Sequence, residues 1–267
     1  MNLKPKEMIL AEEAEYPSAI FADSLSGDGY TAFYFDESDE CKELHEGNHA
    51  IIYPDKIKNL GKILDEIKEL YAEKHIEAAI FHPLGDEYYN YFNDNRAVIE
   101  KCGYEITLES DYQFMTLSGE NTINAIKKNN SLDIKLLDSW DNRIASDIIL
   151  PCGERHELES TKKFASLVPK GNNFLFVGFV GEKAVVYSTI HKSKKYDCVR
   201  FDYILCSEEY RGKGYGSEMV SYIVDFCHER GYNNCFQWSG PSDKIVRRAG
   251  FCDAFTARSG RMNIKQS

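Results

Sequence analysis

The residues most suited to chemistry lie in one stretch, Arg211-Gly212-Lys213-Gly214-Tyr215-Gly216. Three alternating glycines let successive backbone N–H groups turn into one concavity without Cβ atoms in the way. The residues that follow, from about Ser217 to Arg230, carry a helical apolar period at Met219, Ile223 and Phe226, with Val220 and Val224 beside them. Glu218, Asp225 and Glu229 are expected to face water. A helix that starts at such a loop adds unpaired N–H donors and a partial positive charge. Loop and helix together suit a pyrophosphate, with Arg211 and Lys213 as charged helpers. The loop lacks GxxxxGK[ST] and also the GxGxxG spacing, which argues against a P-loop and a dinucleotide site. The bland alternative is a glycine-rich turn with no ligand.

The loop must be placed by the elements on either side. Cys198–Cys206 reads as a strand leading in, and Cys235–Ser239 as the strand after the helix. Phe174–Val180 and Ala184–His191 read as a hairpin joined at Gly181-Glu182. Asp133–Leu137 reads as a short strand, Ser139–Ile149 and Ser160–Leu167 as helices, Ser242–Arg248 as a short helix and Cys252–Met262 as the last strand or pair. Upstream, Gly29–Phe35, His49–Tyr53 and Ala78–His82 read as strands, Ile57–His75 and Tyr88–Cys102 as helices, and Tyr104–Leu117 as one or two strands. The Asn-rich stretch Ser118–Ser131 divides the two runs, so the expected domains are 1–120 and 131–267.

This order, strand–RxxGxG–helix–strand–helix–GF–strand, resembles the Gcn5-related N-acetyltransferase (GNAT) family. Arg211, Gly214 and Gly216 match its RxxGxG signature and Gly250-Phe251 its late GF element. The likeness covers about Asp133 to Ile264. It implies an α/β (α+β) fold with a mixed, mostly antiparallel central sheet flanked by helices, and acetyl-CoA as co-substrate. On that resemblance, the backbone of Ile204, Leu205 and Cys206 takes the pantetheine arm. The amides of Arg211, Gly212, Lys213, Gly214, Tyr215, Gly216 and Ser217 take the pyrophosphate. A splay between the strands ending at Cys206 and starting at Cys235 admits the thioester. The implied reaction is direct attack of a primary amine on the acyl carbonyl, polarised by an N–H near Cys206.

The chain departs from the family where many members carry a proton-donating Tyr before GF. That position falls at about Val246, with Arg247 and Arg248 beside it, and the frequent Asn falls near Ser239. The base candidate is Asp202, which reads at least as well as a satisfied or solvent-facing carboxylate; Glu208 and Glu209 are weaker candidates that read rather as solvated turn residues. Strand alternation puts Asp202, Ile204 and Cys206 on one face and Tyr203 and Leu205 on the other. Tyr210 reads as packing. The segment Cys152-Gly153-Glu154-Arg155-His156-Glu157 falls where the family forms part of its acceptor site, so Glu154 and His156 are substrate-binding candidates; a surface loop is the alternative. Its Cys/His pair lacks further ligands at usable spacing, and no metal is expected.

The upstream half has a parallel order: Phe92–Ile106 and Gly240–Ala254 are each a short helix, Gly-aromatic, then strand. It reads as a degenerate second copy without a phosphate cradle, because Pro54–Gly61 holds a single glycine; an unrelated α/β cap is the alternative.

Bulk properties exclude several classes. In 267 residues, 43% are hydrophobic and 28% charged, so a packed core is expected. No apolar run approaches the roughly 20 residues of a membrane span, and Met1–Glu15 lacks a signal-peptide pattern. The net charge of −11 argues against nucleic acid and is compatible with a cationic amine. The eight cysteines form no CxxC and read as reduced thiols in a cytoplasmic protein. A small-molecule amine is favoured over a protein amine, and the oligomeric state is open. The rival readings are a non-catalytic acyl-CoA sensor or scaffold, and a loop for another phosphorylated ligand.

Overall fold

The computed structural model describes residues 4–20, 22–36, 39–42, 47–77, 79–81, 86–118 and 131–264. The chain folds into two compact units. One takes Leu10–Tyr112 and Thr256–Ser267, the other Met1–Ile9 and Gln113–Phe255. Most of Ser118–Ser131, the expected boundary, lies outside the described residues.

In the first unit, α1 (Pro5–Ile20, begun in the other unit) precedes β1 (Asp23–Gly27), β2 (Tyr30–Tyr34), the single turn α2 (Asp39–Lys42) and β3 (His49–Ile52). Next come α3 (Leu60–Glu73), β4 (Ala79–Phe81), α4 (Asp86–Asp94), α5 (Arg96–Lys101) and β5 (Tyr104–Ser118), which ends in the second unit. β1, β2 and β3 pair antiparallel in sequence, and β3 pairs parallel with β4. The helical period read from sequence is real, for Leu60, Ile63, Leu64, Ile67 and Tyr71 of α3 are all buried. Tyr71 donates its hydroxyl to the Phe33 carbonyl at 2.7 Å, and Tyr104 donates to the Leu64 carbonyl at 3.0 Å. These bonds let large phenols fill the core without stranding a buried hydroxyl.

One local reading is corrected, and two elements are added to those expected. The expected single helix over Tyr88–Cys102 is broken at Asn95, whose side-chain amide donates to the Tyr91 carbonyl at 2.8 Å. Such side-chain bonding competes with helix continuation. α1 and β1 were not expected, because α1 has no regular apolar stripe and β1 is exposed along its whole length.

The second unit carries β6 (Asp133–Leu137), a π-helical turn (Ile144–Ile149), α6 (His156–Leu167), β7 (Asn173–Val180), β8 (Lys183–Lys192) and β9 (Val199–Cys206). They are followed by α7 (Tyr215–Glu229), β10 (Asn234–Trp238), α8 (Asp243–Arg248) and β11 (Cys252–Ile264). Ser139–Ile149 is thus π-wound over its last six residues rather than plainly α-helical, and α6 starts four residues before the expected Ser160. The sheet runs β6-β7-β8-β9-β10-β5, antiparallel except for the β9–β10 pair. The β7–β8 hairpin turns at Gly181, where φ is +60°. β11 ends in the first unit, where Arg261, Met262 and Asn263 pair antiparallel with Phe81, Ile80 and Ala79. The core of the second unit joins α7 (Met219, Val220, Ile223, Val224, Phe226) to Phe176, Val186, Phe201 and Phe251. Among the described residues no helix is long and apolar enough to cross a membrane.

Candidate active site

The glycine loop lies where the sequence analysis expects it, between β9 and α7, and lines a cleft of about 350 Å³. Cys206, Tyr210, Arg211, Gly214, Ser217 and Arg248 are among its lining residues. Gly212 and Gly214 have φ of +78° and +90°, a left-handed backbone that favours glycine. A Cβ at either position would meet nothing within 4 Å, so the surface above them is open. Gly216 has a different reason: a Cβ there would sit 3.2 Å from Ile245 Cδ1, pressing the first turn of α7 onto α8. Gly214 is the N-cap of α7 and has no side chain to bond the helix amides. Glu218 N is the first amide to close an intrahelical bond, to Gly214 O at 3.0 Å. Helix geometry leaves the amides of Tyr215, Gly216 and Ser217 without an intrahelical acceptor. They face an open, positively polarised cleft, the setting for a bound anion.

The side chains of the loop are tied back around this opening. Arg211 Nε donates to the Cys206 carbonyl at 3.1 Å, and its guanidinium lies 3.5 Å from Glu208 and 3.6 Å from Cys152 Sγ. Lys213 Nζ sits 4.6 Å from the centre of the Tyr210 ring. Tyr215 Oη is 3.1 Å from Ser131 Oγ. Glu208 and Glu209 stand on a 3₁₀ turn, paired with Arg211 and Lys183 respectively. Burial pushes the Cys206 thiol up to about 11, although Arg211 and Lys213 pull the other way. At neutral pH it is a protonated thiol and no nucleophile.

β9 and β10 are hydrogen-bonded at Val199–Cys235 and Arg200–Phe236 and diverge from there. β10 continues along β5 while β9 continues along β8. The β9 edge from Phe201 to Cys206 therefore opens onto a fork, where an extended ligand can add to unpaired strand groups. The expected splay between these strands is present.

The face assignment of Asp202 is corrected. A β-bulge opposite Thr189 and Ile190 sets Phe201 and Tyr203 against them and leaves Asp202 unmatched. The bulge breaks the alternation. Ile204 and Cys206 pack with the α7 core. Asp202 instead accepts from Thr189 Oγ1 at 3.3 Å and is ion-paired with Arg200. Tyr203 stacks on Tyr187, ring centres 5.7 Å apart, and Tyr187 Oη lies 3.4 Å from Thr161 Oγ1 of α6. Leu205 pairs with Tyr187 and is nearly buried, so its backbone alone is available to a ligand.

The loop before α6 comes close to this α6-side face. Burial, then the charges of Glu157 and Glu154, hold the Tyr203 phenol well above its ordinary range. Glu154 is half-buried; the side chain of His156 lies outside the described ones. Cys152 Sγ is 3.7 Å from the carbonyl of Cys206, a residue that lines the cleft. Among the described residues no group of three or more His, Cys, Asp or Glu is placed to hold a metal ion. Val246, at the position of the family's tyrosine, is 1% exposed within the core. Glu218, expected to face water, is buried. Sequence reasoning missed Ile245 and Arg248 as cleft residues. Their i, i+3 spacing on α8 was the available signal.

Residues 140–251 match the family model described as the acetyltransferase (GNAT) family. This part of the chain is a GNAT-family acyltransferase domain. The solved structures agree on the fold over the full length. A GCN5-related N-acetyltransferase from Kribbella flavida is 12% identical with a TM-score of 0.66, covering 100% of this chain and 97% of that one. A functionally unknown conserved protein from Staphylococcus epidermidis is 12% identical with a TM-score of 0.61, covering 92% and 96%. A tandem GNAT protein from the clavulanic acid biosynthesis pathway is 12% identical with a TM-score of 0.58, covering 98% and 94%. No protein of curated function matches the sequence.

Proposed function

We propose that the protein is an acetyl-CoA-dependent N-acetyltransferase, with its chemistry in residues 131–267. The observation that carries this reading is the uncapped start of α7 beneath Gly212 and Gly214, open to the cleft. The amides of Tyr215, Gly216 and Ser217 would hold the donor pyrophosphate, with Arg211 released from the Cys206 carbonyl to join them. Arg248 of α8, which also lines the cleft, would add charge. The free edge of Ile204 to Cys206 would pair with the pantetheine amides, and the Cys206 N–H would polarise the thioester carbonyl.

A neutral primary amine then attacks the acyl carbon directly. A C–N bond forms, the C–S bond breaks, and CoA leaves as a thiolate that takes its proton from solvent in the open cleft. The amine's extra proton also leaves to solvent. Loss of a positioned acid costs about 10²–10⁴-fold in rate and does not abolish the reaction. The acceptor would enter on the α6 side of β9. Glu154 and Glu157 there would attract a cationic amine, which gives up a proton to solvent before attack. A small-molecule amine is our preferred acceptor over a protein amine, and His156, the first residue of α6, is a further candidate contact by its place in the chain. The eight cysteines stand as thiols, which favours the cytoplasm.

Calorimetric titration with acetyl-CoA tests the reading, comparing the wild type with the double variant Gly214→Glu, Gly216→Glu. Micromolar binding that is lost in a still-folded variant supports it. A folded wild type that binds no acetyl-CoA overturns it. Burial of Val246 where a proton donor would stand favours a second reading, a sensor that binds the donor without turnover. Thioester consumption across a panel of amines separates the two.

A further inference from the structure

The fork between β9 and β10 begins at Arg200, the last β9 residue paired with β10. Its guanidinium is ion-paired with Asp202 Oδ1 and lies 5.8 Å from the ring of Trp238, the last residue of β10. Asp202 Oδ2 accepts from Thr189 Oγ1 of β8 at 3.3 Å. Asp202 is itself the bulged residue. The Arg200 side chain is 13% exposed and that of Asp202 25%, while Asp202 as a whole residue is exposed. One ionic cluster thus touches β8, β9 and β10 at the point where the sheet opens.

A base must offer a carboxylate oxygen to the amine. Here Oδ1 pairs with Arg200 and Oδ2 accepts from Thr189, so the carboxylate is oriented by the strands on either side of the bulge. We propose that Arg200, Asp202 and Thr189 form a lock that holds the β9 bulge and the fork open at a fixed width, which makes Asp202 a positioning residue rather than the catalytic base. The role in donor binding rests on reading the fork as the entry of the thioester.

The test uses the full chain with Asp202→Asn, Arg200→Gln and the two combined. Hydrogen exchange is followed at the amides of 201–206 and 235–238 without any donor, and acetyl-CoA affinity and the pH profile of kcat are then measured. Loss of a hydrogen-bonded charge pair should speed fork exchange and weaken donor binding by about tenfold in each single variant. The double variant should be no worse than either, because both remove one interaction. Donor KM should carry the loss, and the pH profile of kcat should keep its shape. Fork exchange unchanged in Asp202→Asn, or a rising limb of the kcat profile that vanishes in this variant alone, overturns the lock. A wild type that binds no acetyl-CoA defeats the enzyme reading, and the exchange data still decide the lock.

Discussion

At the residue scale, Gly212 and Cys206 show how differently a cleft residue can be constrained. Gly212 is held by its backbone alone, at φ +78° with open space above it. Gly212→Ala should cost about 1–2 kcal/mol of stability from strain rather than collision, measured by urea unfolding, and should raise donor KM. Cys206 is held by burial. Its folded thiol titrates at about 11, against roughly 8.5 in an unfolded chain. Between those values the unfolded chain has lost the proton while the native chain keeps it. This contribution to stability is full below about pH 8.5 and is lost as pH rises through 11. Thermal melting at stepped pH should show an alkaline decline that is shallower in Cys206→Ser, and an identical decline in that variant would refute the assignment.

At the element scale, two helices that each follow a strand and a loop start in opposite ways. Asn59 caps α3, accepting from the Lys62 amide at 3.1 Å, so its own side chain sits where an anion would bind. α7 is capped by a bare Gly214. Asn59→Ala should therefore cost about 1 kcal/mol and leave acetyl-CoA affinity intact; weakened donor binding in calorimetry would contradict this contrast. The same scale shows what was legible in the sequence. The loop 211–217 was readable because glycine spacing before an amphipathic helix is a local signal, and the hairpin at Gly181 and the buried stripe of α3 were readable for the same kind of reason. The facing of Asp202 was not, because a bulge depends on the partner strand and leaves no periodicity in its own. Nor was α1, whose buried positions Met8, Ile9, Glu12 and Tyr16 include a charge. Ile245 and Arg248 became cleft residues through the packing of α8 on Gly216; their i, i+3 spacing puts them on one helix face but does not say that this face meets the glycine loop.

At the scale of the whole molecule, a GNAT-like fold extends over the full chain, while the features suited to a donor lie in one unit. Calorimetry should accordingly return one acetyl-CoA per chain. A second equivalent that survives Gly214→Glu, Gly216→Glu would assign a site to the N-terminal unit.

The pairing of β4 with the last residues of β11 also sets a timetable for biosynthesis. Ile80 leaves the ribosome long before Met262, its partner across the sheet. The unit built mainly from residues 10–112 is therefore finished after the other, and β4 keeps an open edge until residues 261–263 have been made. A nascent chain arrested before residue 256 should be cut by protease within the N-terminal unit, at sites that the released protein protects.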